Sequence, residues 1–349
     1  MKNKISFVHA INQALFQFLK KDKKLIVVGL GVDDPKGIFE TTLNLKKKFP
    51  NNVFDMPTAE NSMAGICLGL VTKGFKSVIV HQRVEFSLLA MEQIINQIAK
   101  WNYMSAGKSN APLVIRLIIG KGWGQGPQHS QSLEVLFAHI PGLKVVAPSN
   151  PNEAKGMMIA SIKDSNPVIF YEHRWLHNIV SDVPVNYYLN NLNKAKVIKK
   201  GKDITIISFS NALLECLKAE KYLKENFNIS PQIIDIRILR PLDKKTILKN
   251  IDKTKNILLV DNGMKTFGIT AEISALINEE KKKKFNIRRI GVTEVPIPST
   301  VSLAKYCYPE YNIIVKNVLE MLNISFNKKK APKETAEPDK PDNSFTGPF

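Results

Sequence analysis

Short apolar segments alternate with segments of helical periodicity along most of the 349-residue chain, and this alternation constrains the fold more than any other feature. The apolar segments have the length of strands, and turn-forming or polar residues separate them from the helical segments. Because these strands are apolar throughout, both of their faces are expected to be buried. The pattern predicts an α/β protein with parallel sheets that helices cover on both faces.

The alternation occurs in two series, which predict two domains. We assign residues 1–180 to the first domain and residues 203–325 to the second. The intervening residues 181–202 are polar and rich in Asn and Lys, so we predict a linker there. From residue 326 to 349 the chain is dominated by Lys, Pro, Glu, Asp and Thr, which predicts a disordered tail.

One predicted helix carries a single carboxylate at its start. A short strand at Val53–Met56 and a proline turn precede this helix, which begins at Glu60. The residues that follow are almost uncharged and apolar on more than one face, so the helix is expected to be buried. The helix dipole favours a charged Glu60, whereas burial would raise its pKa. The residues alone leave two readings, a helix-capping carboxylate or an enclosed functional acid.

A glycine-rich segment precedes a second candidate residue. Gly120–Gly126 follows a predicted strand at Pro112–Ile119 and leads to His129. The segment lacks the Lys-Ser/Thr ending of a phosphate-binding loop, so it is either a flexible loop or a loop that lines a pocket. We expect His129 at the junction with a helix at Ser130–His139, where α/β folds bind ligands. A surface histidine is equally consistent with the pattern.

Composition and charge argue against several classes of protein. The formal net charge is +19, yet only seven basic residues are arginines, and the lysines are spread along the whole chain without interleaved aromatics. This distribution does not indicate a nucleic-acid surface. No apolar run is long enough to span a bilayer, and the first residues lack the features of a signal peptide. We therefore expect a cytoplasmic protein that binds neither nucleic acid nor membranes.

Nine short motifs follow one another between residues 4 and 323. They are Asp55-x-Pro-x-x-Glu60, Ala64-Gly-Ile66 with Gly69, Phe86-Ser87, Gln93-x-x-Asn96, Gln128-His-Ser-Gln131, Pro141-Gly-Leu-Lys-Val-Val146, Asn166-Pro167, Arg240-Pro-x-Asp243 and Phe267-Gly-x-x-Ala-Glu272. In this order they resemble the beta subunits of the thiamine diphosphate-dependent 2-oxoacid dehydrogenases of the pyruvate and branched-chain type. The chain is also similar to the pyrimidine-binding half of transketolase. The resemblance implies a pyrimidine-binding domain followed by a transketolase-like C-terminal domain that supports assembly.

The resemblance also implies roles for individual residues. Glu60 would hydrogen-bond the pyrimidine ring of thiamine diphosphate and promote the proton loss that activates the cofactor, a role that needs a tunable carboxyl pKa. Phe86 would stack on the pyrimidine, and His129 would lie near the reacting carbon. A potassium site, formed mostly by backbone oxygens, would involve Leu113, Ser161, Ile162, Asp164 and Asn166.

Two departures from the family pattern bear on substrate choice. Two family aromatic positions just before Phe86 are His81 and Val84 in this chain. In addition, the loop before His129 carries a tryptophan and differs from the usual family loop. Both departures leave the substrate open.

One family motif is absent. The Gly-Asp-Gly motif, with a later Asn, that holds the diphosphate and magnesium has no match, since Asp261-Asn-Gly263 lacks the leading Gly. The chain is thus expected to carry half of a cofactor site, to have no magnesium site of its own, and to need an alpha-type subunit in an alpha2-beta2 heterotetramer.

We therefore expect a beta subunit that helps to decarboxylate a 2-oxoacid and to transfer the acyl group to a lipoyl carrier, with a lipoyl acyltransferase as a further partner. One alternative is the C-terminal half of a split transketolase, which moves ketol units between sugar phosphates. The other alternative is a non-catalytic assembly subunit.

Overall fold

The structure, a computed structural model, describes residues 2–325 together with Pro332 and Pro341. The chain folds into two compact units. The first unit comprises the residues up to Gly120 and Leu136–Leu192, and the second comprises Lys121–Val135 and the residues from Asn193 onward. The boundaries at residues 180 and 203 stay predictions from the sequence. The predicted disordered tail, 326–349, lies outside the described residues apart from the two prolines.

The first unit is built on parallel strands, which confirms the predicted α/β class. Its strands are β1 (Lys2–Ser6), β2 (Leu25–Val28), β3 (Val53–Phe54), β4 (Lys76–His81), β5 (Leu113–Ile119), β6 (Lys144–Val146), β7 (Val168–His173) and β8 (Val180–Pro184). Parallel pairing gives the order β6-β7-β5-β4-β2-β3. Strands β2, β5 and β7 are buried along their whole length, as their apolar sequences require.

The helices up to residue 192 connect these strands. They are α1 (Phe7–Lys21), α2 (Leu45–Lys48), α3 (Glu60–Thr72), α4 (Trp101–Met104), α5 (Glu134–Ala138) and α6 (Pro151–Lys163). In α1 the apolar residues Phe7, Ile11, Leu15 and Phe18 recur at helical spacing, and all four are buried. Its start is fixed by Ser6, whose hydroxyl accepts a hydrogen bond from the His9 backbone N–H at 3.4 Å.

The sequence pattern predicts one long helix at Phe86–Met104, and this prediction is wrong. The segment instead forms a 3₁₀ helix at Val84–Ala90, a π-helix at Gln93–Ile98 and the short helix α4. In the first part the Ser87 hydroxyl donates to the Val84 carbonyl at 2.6 Å, a local bond that competes with regular α-helical pairing. In the second part the Ala99 N–H donates to the Ile94 carbonyl at 3.0 Å, five residues back.

The predicted linker, 181–202, contains regular structure. Strand β8 pairs antiparallel with β1, and a further strand, β9, covers Lys196–Lys199. Directly after β8, the buried Lys155 ammonium donates to three backbone carbonyls at 2.7–3.1 Å, those of Pro184, Val185 and Asn186. The polar composition did not predict this regular structure, because the segment is held by hydrogen bonds of its backbone and not by apolar side chains.

The second unit repeats the α/β plan. Its strands are β9, β10 (Thr205–Ser208), β11 (Gln232–Asp235), β12 (Ile238–Arg240), β13 (Asn256–Met264) and β14 (Asn286–Val292), and its helices are α7 (Ser210–Phe227), α8 (Lys244–Ile251), α9 (Ile269–Glu280), α10 (Val301–Ala304) and α11 (Tyr311–Met321). The order is β14-β13-β10-β11-β9, with only β9 antiparallel to its neighbour. Its core includes Ile206, Leu213, Leu217, Ile233, Leu258 and Val318.

No helix in the part of the chain that the structure describes is both long and apolar enough to cross a membrane.

Candidate active site

A hollow lies at the carboxyl ends of the adjacent parallel strands β2 and β4 in the first unit. It has a volume of about 290 Å³, solvent at its mouth included, and eight residues line it: Leu30, Pro57, Glu60, Met63, Val80, His81, Gln82 and Phe86. Parallel α/β sheets bind ligands at this edge because the loops that leave the strand ends converge there. Five of the lining side chains are apolar, and they surround one carboxylate and one imidazole.

Glu60 is the first residue of α3, so the helix places its carboxylate at the hollow. The residue before it, Ala59, has no side chain that could cap the helix, and the first-turn backbone N–H groups therefore favour a negative charge at this end. Glu60 is half-buried. Among the described residues, no side chain pairs with its carboxylate, so the group is available to a ligand.

The expectation that α3 is buried on more than one face is only partly correct. Met63, Ala64, Cys67 and Leu68 are buried, whereas the Ile66 side chain is 53% exposed. The helix therefore covers the sheet with one face and leaves an apolar residue uncovered on another. Apolar periodicity reports which residues avoid water in the functional protein, and another chain can provide that burial.

Local hydrogen bonds hold the loops around the hollow. The Gly31 N–H donates to the Asp55 carboxylate at 2.6 Å, and the Gln82 side chain donates to the Leu30 carbonyl at 2.8 Å. A Cβ atom at Gly29 would lie 2.5 Å from the Val80 carbonyl oxygen. Only glycine allows the two strand ends to approach this closely.

Phe86 lies on the 3₁₀ helix that follows β4, and it lines the same hollow as Glu60. Its backbone N–H donates to the Arg83 carbonyl at 3.2 Å, a bond that belongs to the tight turn. The structure thus brings two of the three predicted site residues together, a carboxylate and an aromatic ring. This pair suits a flat heterocycle that offers a hydrogen-bonding edge and an apolar face.

His81, the last residue of β4, also lines the hollow, and sequence reasoning assigned it no role in cofactor binding. Its side chain is 3% exposed, and within residues 2–325 its Nε2 atom is buried without a hydrogen-bond partner. Burial lowers the pKa of His81 to about 4, so the imidazole is neutral at neutral pH. The sequence did mark this position, because His81 replaces an aromatic residue of the family pattern. We interpreted that difference as a matter of substrate choice.

His129, the third predicted site residue, belongs to the second unit and is half-buried. The helix expected from Ser130 begins instead at Glu134, so His129 lies in a loop and not at a helix junction. Asn262 holds the segment between His129 and α5. Its amide donates to the Ser132 hydroxyl at 3.3 Å and to the Glu134 carboxyl at 2.9 Å. These bonds to β13 replace the helical hydrogen bonds that we expected.

Glu134 itself is 2% exposed. Burial raises its pKa to about 7, and the nearby Asp261 carboxylate adds to the shift. Asp261 is buried too, and burial raises its pKa as well, although it accepts hydrogen bonds from the Thr270 and Gly263 backbone N–H groups. The second unit therefore contains a buried pair of acids that the sequence pattern did not reveal.

The glycine-rich loop before His129 is packed within the second unit. Gly122, Gly124 and Gly126 all have positive φ angles. A Cβ atom at Gly126 would lie 2.5 Å from the Ser299 hydroxyl oxygen, so a side chain there would displace the neighbouring segment. The loop therefore packs against the segment around Ser299, and its two readings, a flexible loop or a loop that lines a pocket, stay predictions.

The residues suggested for potassium lie near the start of β5 and the end of α6. The Asp164 carboxylate is already used, because it contacts the Lys144 ammonium and accepts from the Asn166 backbone and side chain at 2.9 and 3.1 Å. The Ser161 hydroxyl donates to the Met157 carbonyl at 2.7 Å. A cation there would have to use the carbonyl oxygens that a helix leaves free at its C-terminus.

The residues of the hollow fit an aminopyrimidine better than an anion or a metal. A carboxylate and a buried neutral imidazole would meet the polar edge of the ring, and the aromatic and aliphatic side chains would meet its faces. No group of three or more His, Cys, Asp or Glu side chains suited to a metal occurs in residues 2–325 or at Pro332 and Pro341.

Comparison with known proteins identifies two domain families in the chain. Residues 3–178 match the family described as the transketolase pyrimidine binding domain, and residues 193–313 match the transketolase C-terminal domain. The chain is 36% identical to the pyruvate dehydrogenase E1 component subunit beta of Porphyra purpurea, over 93% of this chain and 98% of that protein. It is 34% identical to the 2-oxoisovalerate dehydrogenase subunit beta of Bacillus subtilis, over 86% of this chain and 94% of that one.

A solved structure of a split-gene transketolase, described as an inactive beta4 tetramer, has the same fold. It superposes with a TM-score of 0.77 over 92% of this chain and 100% of that chain, at 20% sequence identity. The sequence matches extend over both units and identify a narrower group than the fold does. The chain belongs to the family of thiamine diphosphate-dependent 2-oxoacid dehydrogenase beta subunits, with transketolase-type pyrimidine-binding and C-terminal domains.

Proposed function

We propose that this chain is the beta subunit of a thiamine diphosphate-dependent 2-oxoacid dehydrogenase, which decarboxylates a 2-oxoacid and transfers the acyl group to a lipoyl carrier. The observation that carries the proposal is the hollow in the first unit, where the Glu60 carboxylate and the Phe86 ring line one space. This hollow lies within residues 3–178, the part that matches the pyrimidine binding domain.

When bound, thiamine diphosphate would supply a carbon that adds to the substrate carbonyl and a positively charged ring that accepts the electron pair released by decarboxylation. Glu60 would hold a proton at the pyrimidine ring nitrogen and so control the basicity of the ring's amino group. Phe86 would fix the plane of the ring by packing against its face. The apolar lining from Leu30, Met63 and Val80 would exclude water and strengthen the hydrogen bond to Glu60.

His129 completes the proposed set of functional residues. It would bind the substrate carboxylate or move a proton near the reacting carbon, because histidine is the side chain that can change charge near neutral pH. Its loop is braced by the Asn262 hydrogen bonds to Ser132 and Glu134. That bracing would limit the positions open to His129 within the second unit.

An alpha-type subunit would supply the diphosphate and magnesium ligands, in an alpha2-beta2 heterotetramer. The similar proteins of Porphyra purpurea and Bacillus subtilis are themselves named as beta subunits, and the exposed Ile66 on α3 favours burial against another chain. We also propose a lipoyl acyltransferase as a further partner, a cytoplasmic location, and a potassium ion held by carbonyl oxygens at Leu113, Ser161, Ile162, Asp164 and Asn166.

The test is a substrate screen on the assembled enzyme. The chain is coexpressed with an alpha-type partner, and the purified complex is assayed with thiamine diphosphate, magnesium and an artificial electron acceptor. Pyruvate and branched-chain 2-oxoacids are compared with acetoin, because the chain is also 33% identical to the acetoin:2,6-dichlorophenolindophenol oxidoreductase subunit beta of Cupriavidus necator. We expect oxidation of a 2-oxoacid.

The same screen includes ketol transfer between sugar phosphates. The similarity to the split-gene transketolase shows the fold alone, since the two sequences are 20% identical. Ketol transfer without 2-oxoacid oxidation would replace the proposal with the split transketolase. A complex that assembles and binds the cofactor but turns over none of these substrates would instead indicate an assembly subunit.

A further inference from the structure

We propose that His81 is a second hydrogen-bonding residue for the cofactor's aminopyrimidine, beside Glu60. This inference rests on the proposed function, because it concerns the same hollow. It adds a polar contact at a position where the family pattern has an aromatic side chain. His81 would thus help to set both the affinity and the orientation of the ring.

The position of His81 carries the argument. It is the last residue of β4, at the strand end where the hollow opens, and Glu60 and Phe86 line the same hollow. The next residue, Gln82, is tied to the Leu30 carbonyl at 2.8 Å, which fixes the chain directly after the imidazole. In the sheet, His81 is in register with Leu117 of β5, which is fully buried.

The hydrogen-bonding state of His81 points to a ligand. A buried polar atom is normally paired, and each exception needs an explanation. The Nε2 atom of His81 is such an exception among the described residues, in a side chain that is 3% exposed. A ring with donors and acceptors along its edge would supply the missing partner when it occupies the hollow.

The charge state of His81 fits the same ligand. Burial lowers the pKa of the imidazole to about 4, so at neutral pH it has one N–H donor and one acceptor nitrogen. An aminopyrimidine presents an amino donor and ring-nitrogen acceptors. A neutral imidazole can therefore either accept a hydrogen bond from it or donate one to it. A cationic side chain at this place would instead compete for the Glu60 carboxylate.

An unpaired buried imidazole should lower the stability of the cofactor-free protein, and its hydrogen bond to the cofactor should stabilise the complex. Replacing it with a phenyl ring of similar shape removes the unpaired polar atom before binding and removes a hydrogen bond after binding. The substitution should therefore raise the stability of the cofactor-free protein and lower its affinity for the cofactor. A histidine that only supports the fold would instead stabilise the empty protein and leave cofactor binding unchanged once the protein is folded.

The experiment compares variants of the chain in the complex with its alpha-type partner. Calorimetry measures the dissociation constant of thiamine diphosphate with magnesium, and thermal melting is recorded without cofactor. The variants are wild type, His81→Phe, and His81→Gln, whose amide keeps a hydrogen-bonding group in a similar place. His139→Phe serves as the control, because it makes the same change at an exposed histidine outside the hollow.

We expect His81→Phe to bind the cofactor about tenfold more weakly, the cost of one buried hydrogen bond, while its cofactor-free melting temperature equals or exceeds that of wild type. His81→Gln should recover part of the affinity, and His139→Phe should match wild type. Wild-type affinity in His81→Phe would overturn the inference. A lower cofactor-free melting temperature with no recovery in His81→Gln would also overturn it, because both results describe a structural residue.

The failure of this inference can be told from failure of the proposed function. If the wild-type complex does not bind thiamine diphosphate, the proposed function fails and this inference fails with it. If the wild-type complex binds the cofactor and oxidises a 2-oxoacid, yet His81→Phe binds equally well, only the role of His81 is withdrawn.

Discussion

Glu60 is held at the first position of α3, half-buried, and none of the described side chains pairs with its carboxylate. The preceding turn brings Pro57 and the carboxylate to the same hollow as Phe86. The role that we propose for this chain in catalysis therefore depends on this one carboxyl group.

Replacing Glu60 with Gln tests that dependence. Glu60→Gln keeps the shape and one acceptor oxygen, so folding and assembly should be unchanged, while turnover of the complex should fall by about 10²–10⁴-fold. The measurement is the rate of hydrogen–deuterium exchange at the thiazolium carbon of the cofactor in the assembled enzyme. Asp55→Asn, which changes the acid that holds Gly31, is the matched control and should slow this exchange less. Wild-type exchange in Glu60→Gln would remove Glu60 from the mechanism.

Glu134 gives a prediction about pH and stability. Burial raises its pKa in the folded protein to about 7, from an ordinary value of 4.5. Between these two values the folded state binds more protons than the unfolded state, so the contribution of Glu134 to stability falls as pH rises from 4.5 to 7. Above pH 7 the penalty is complete, at about 3 kcal/mol.

Glu134→Gln removes this titration and keeps an oxygen to accept from the Asn262 amide. The variant should match wild type in urea denaturation at pH 4.5 and exceed it at pH 8, by up to about 3 kcal/mol. Because the Asp261 carboxylate adds to the pKa shift of Glu134, the measured difference includes the coupling between the two acids. A stability difference that does not change with pH would show that Glu134 titrates normally.

At the scale of elements, the hollow depends on the close approach of the backbone at Gly29, just after β2, to the backbone of Val80 in β4. Gly29→Ala would place a Cβ atom 2.5 Å from the Val80 carbonyl oxygen, and one of the two strand ends would have to move. We expect a loss of about 2 kcal/mol in stability, together with weaker cofactor binding by the complex. Thermal melting of the isolated chain and calorimetry of the complex measure the two effects.

Gly69→Ala is the matched control. Gly69 lies within α3, and a Cβ atom there would have no atom within 4 Å. Alanine favours a helix interior over glycine, so the isolated chain should become more stable by about 0.5–1 kcal/mol. If Gly29→Ala proved as harmless as Gly69→Ala, the close packing at the hollow would be wrong.

Sequence patterns predicted elements well where apolar side chains decide the structure. Strand β5 and helix α6 follow directly from such runs, and both are largely buried. Patterns failed where backbone or side-chain hydrogen bonds decide. The segment with the Ser87 to Val84 hydrogen bond forms 3₁₀ and π-helices in place of one long helix, and β1 and β8 pair with each other although both are polar.

For the candidate site, the sequence predicted the carboxylate and the aromatic ring because each belongs to a local motif. It did not assign His81, whose role depends on burial and on the absence of a partner for Nε2 among the described residues. The contacts between Asn262 and Glu134 were also beyond its reach, since they join residues 128 positions apart. Local spacing contains no information about such pairs.

For the whole molecule, the central claim is that the chain holds one half of a cofactor site. Both units match transketolase-type domains, and the pyrimidine-binding match covers the hollow with Glu60 and Phe86. We propose that this chain binds the pyrimidine of the cofactor and that an alpha-type partner binds the diphosphate with its magnesium.

Calorimetry of thiamine diphosphate binding tests this claim most directly. The ligand is titrated, with magnesium present, into the isolated chain, into the isolated alpha-type partner, and into the complex of the two. We predict tight magnesium-dependent binding by the complex, and binding to the isolated chain that is at least about a hundredfold weaker, because the diphosphate contacts are missing. Tight magnesium-dependent binding by the isolated chain would contradict the account, since it would require a complete site within this one protein.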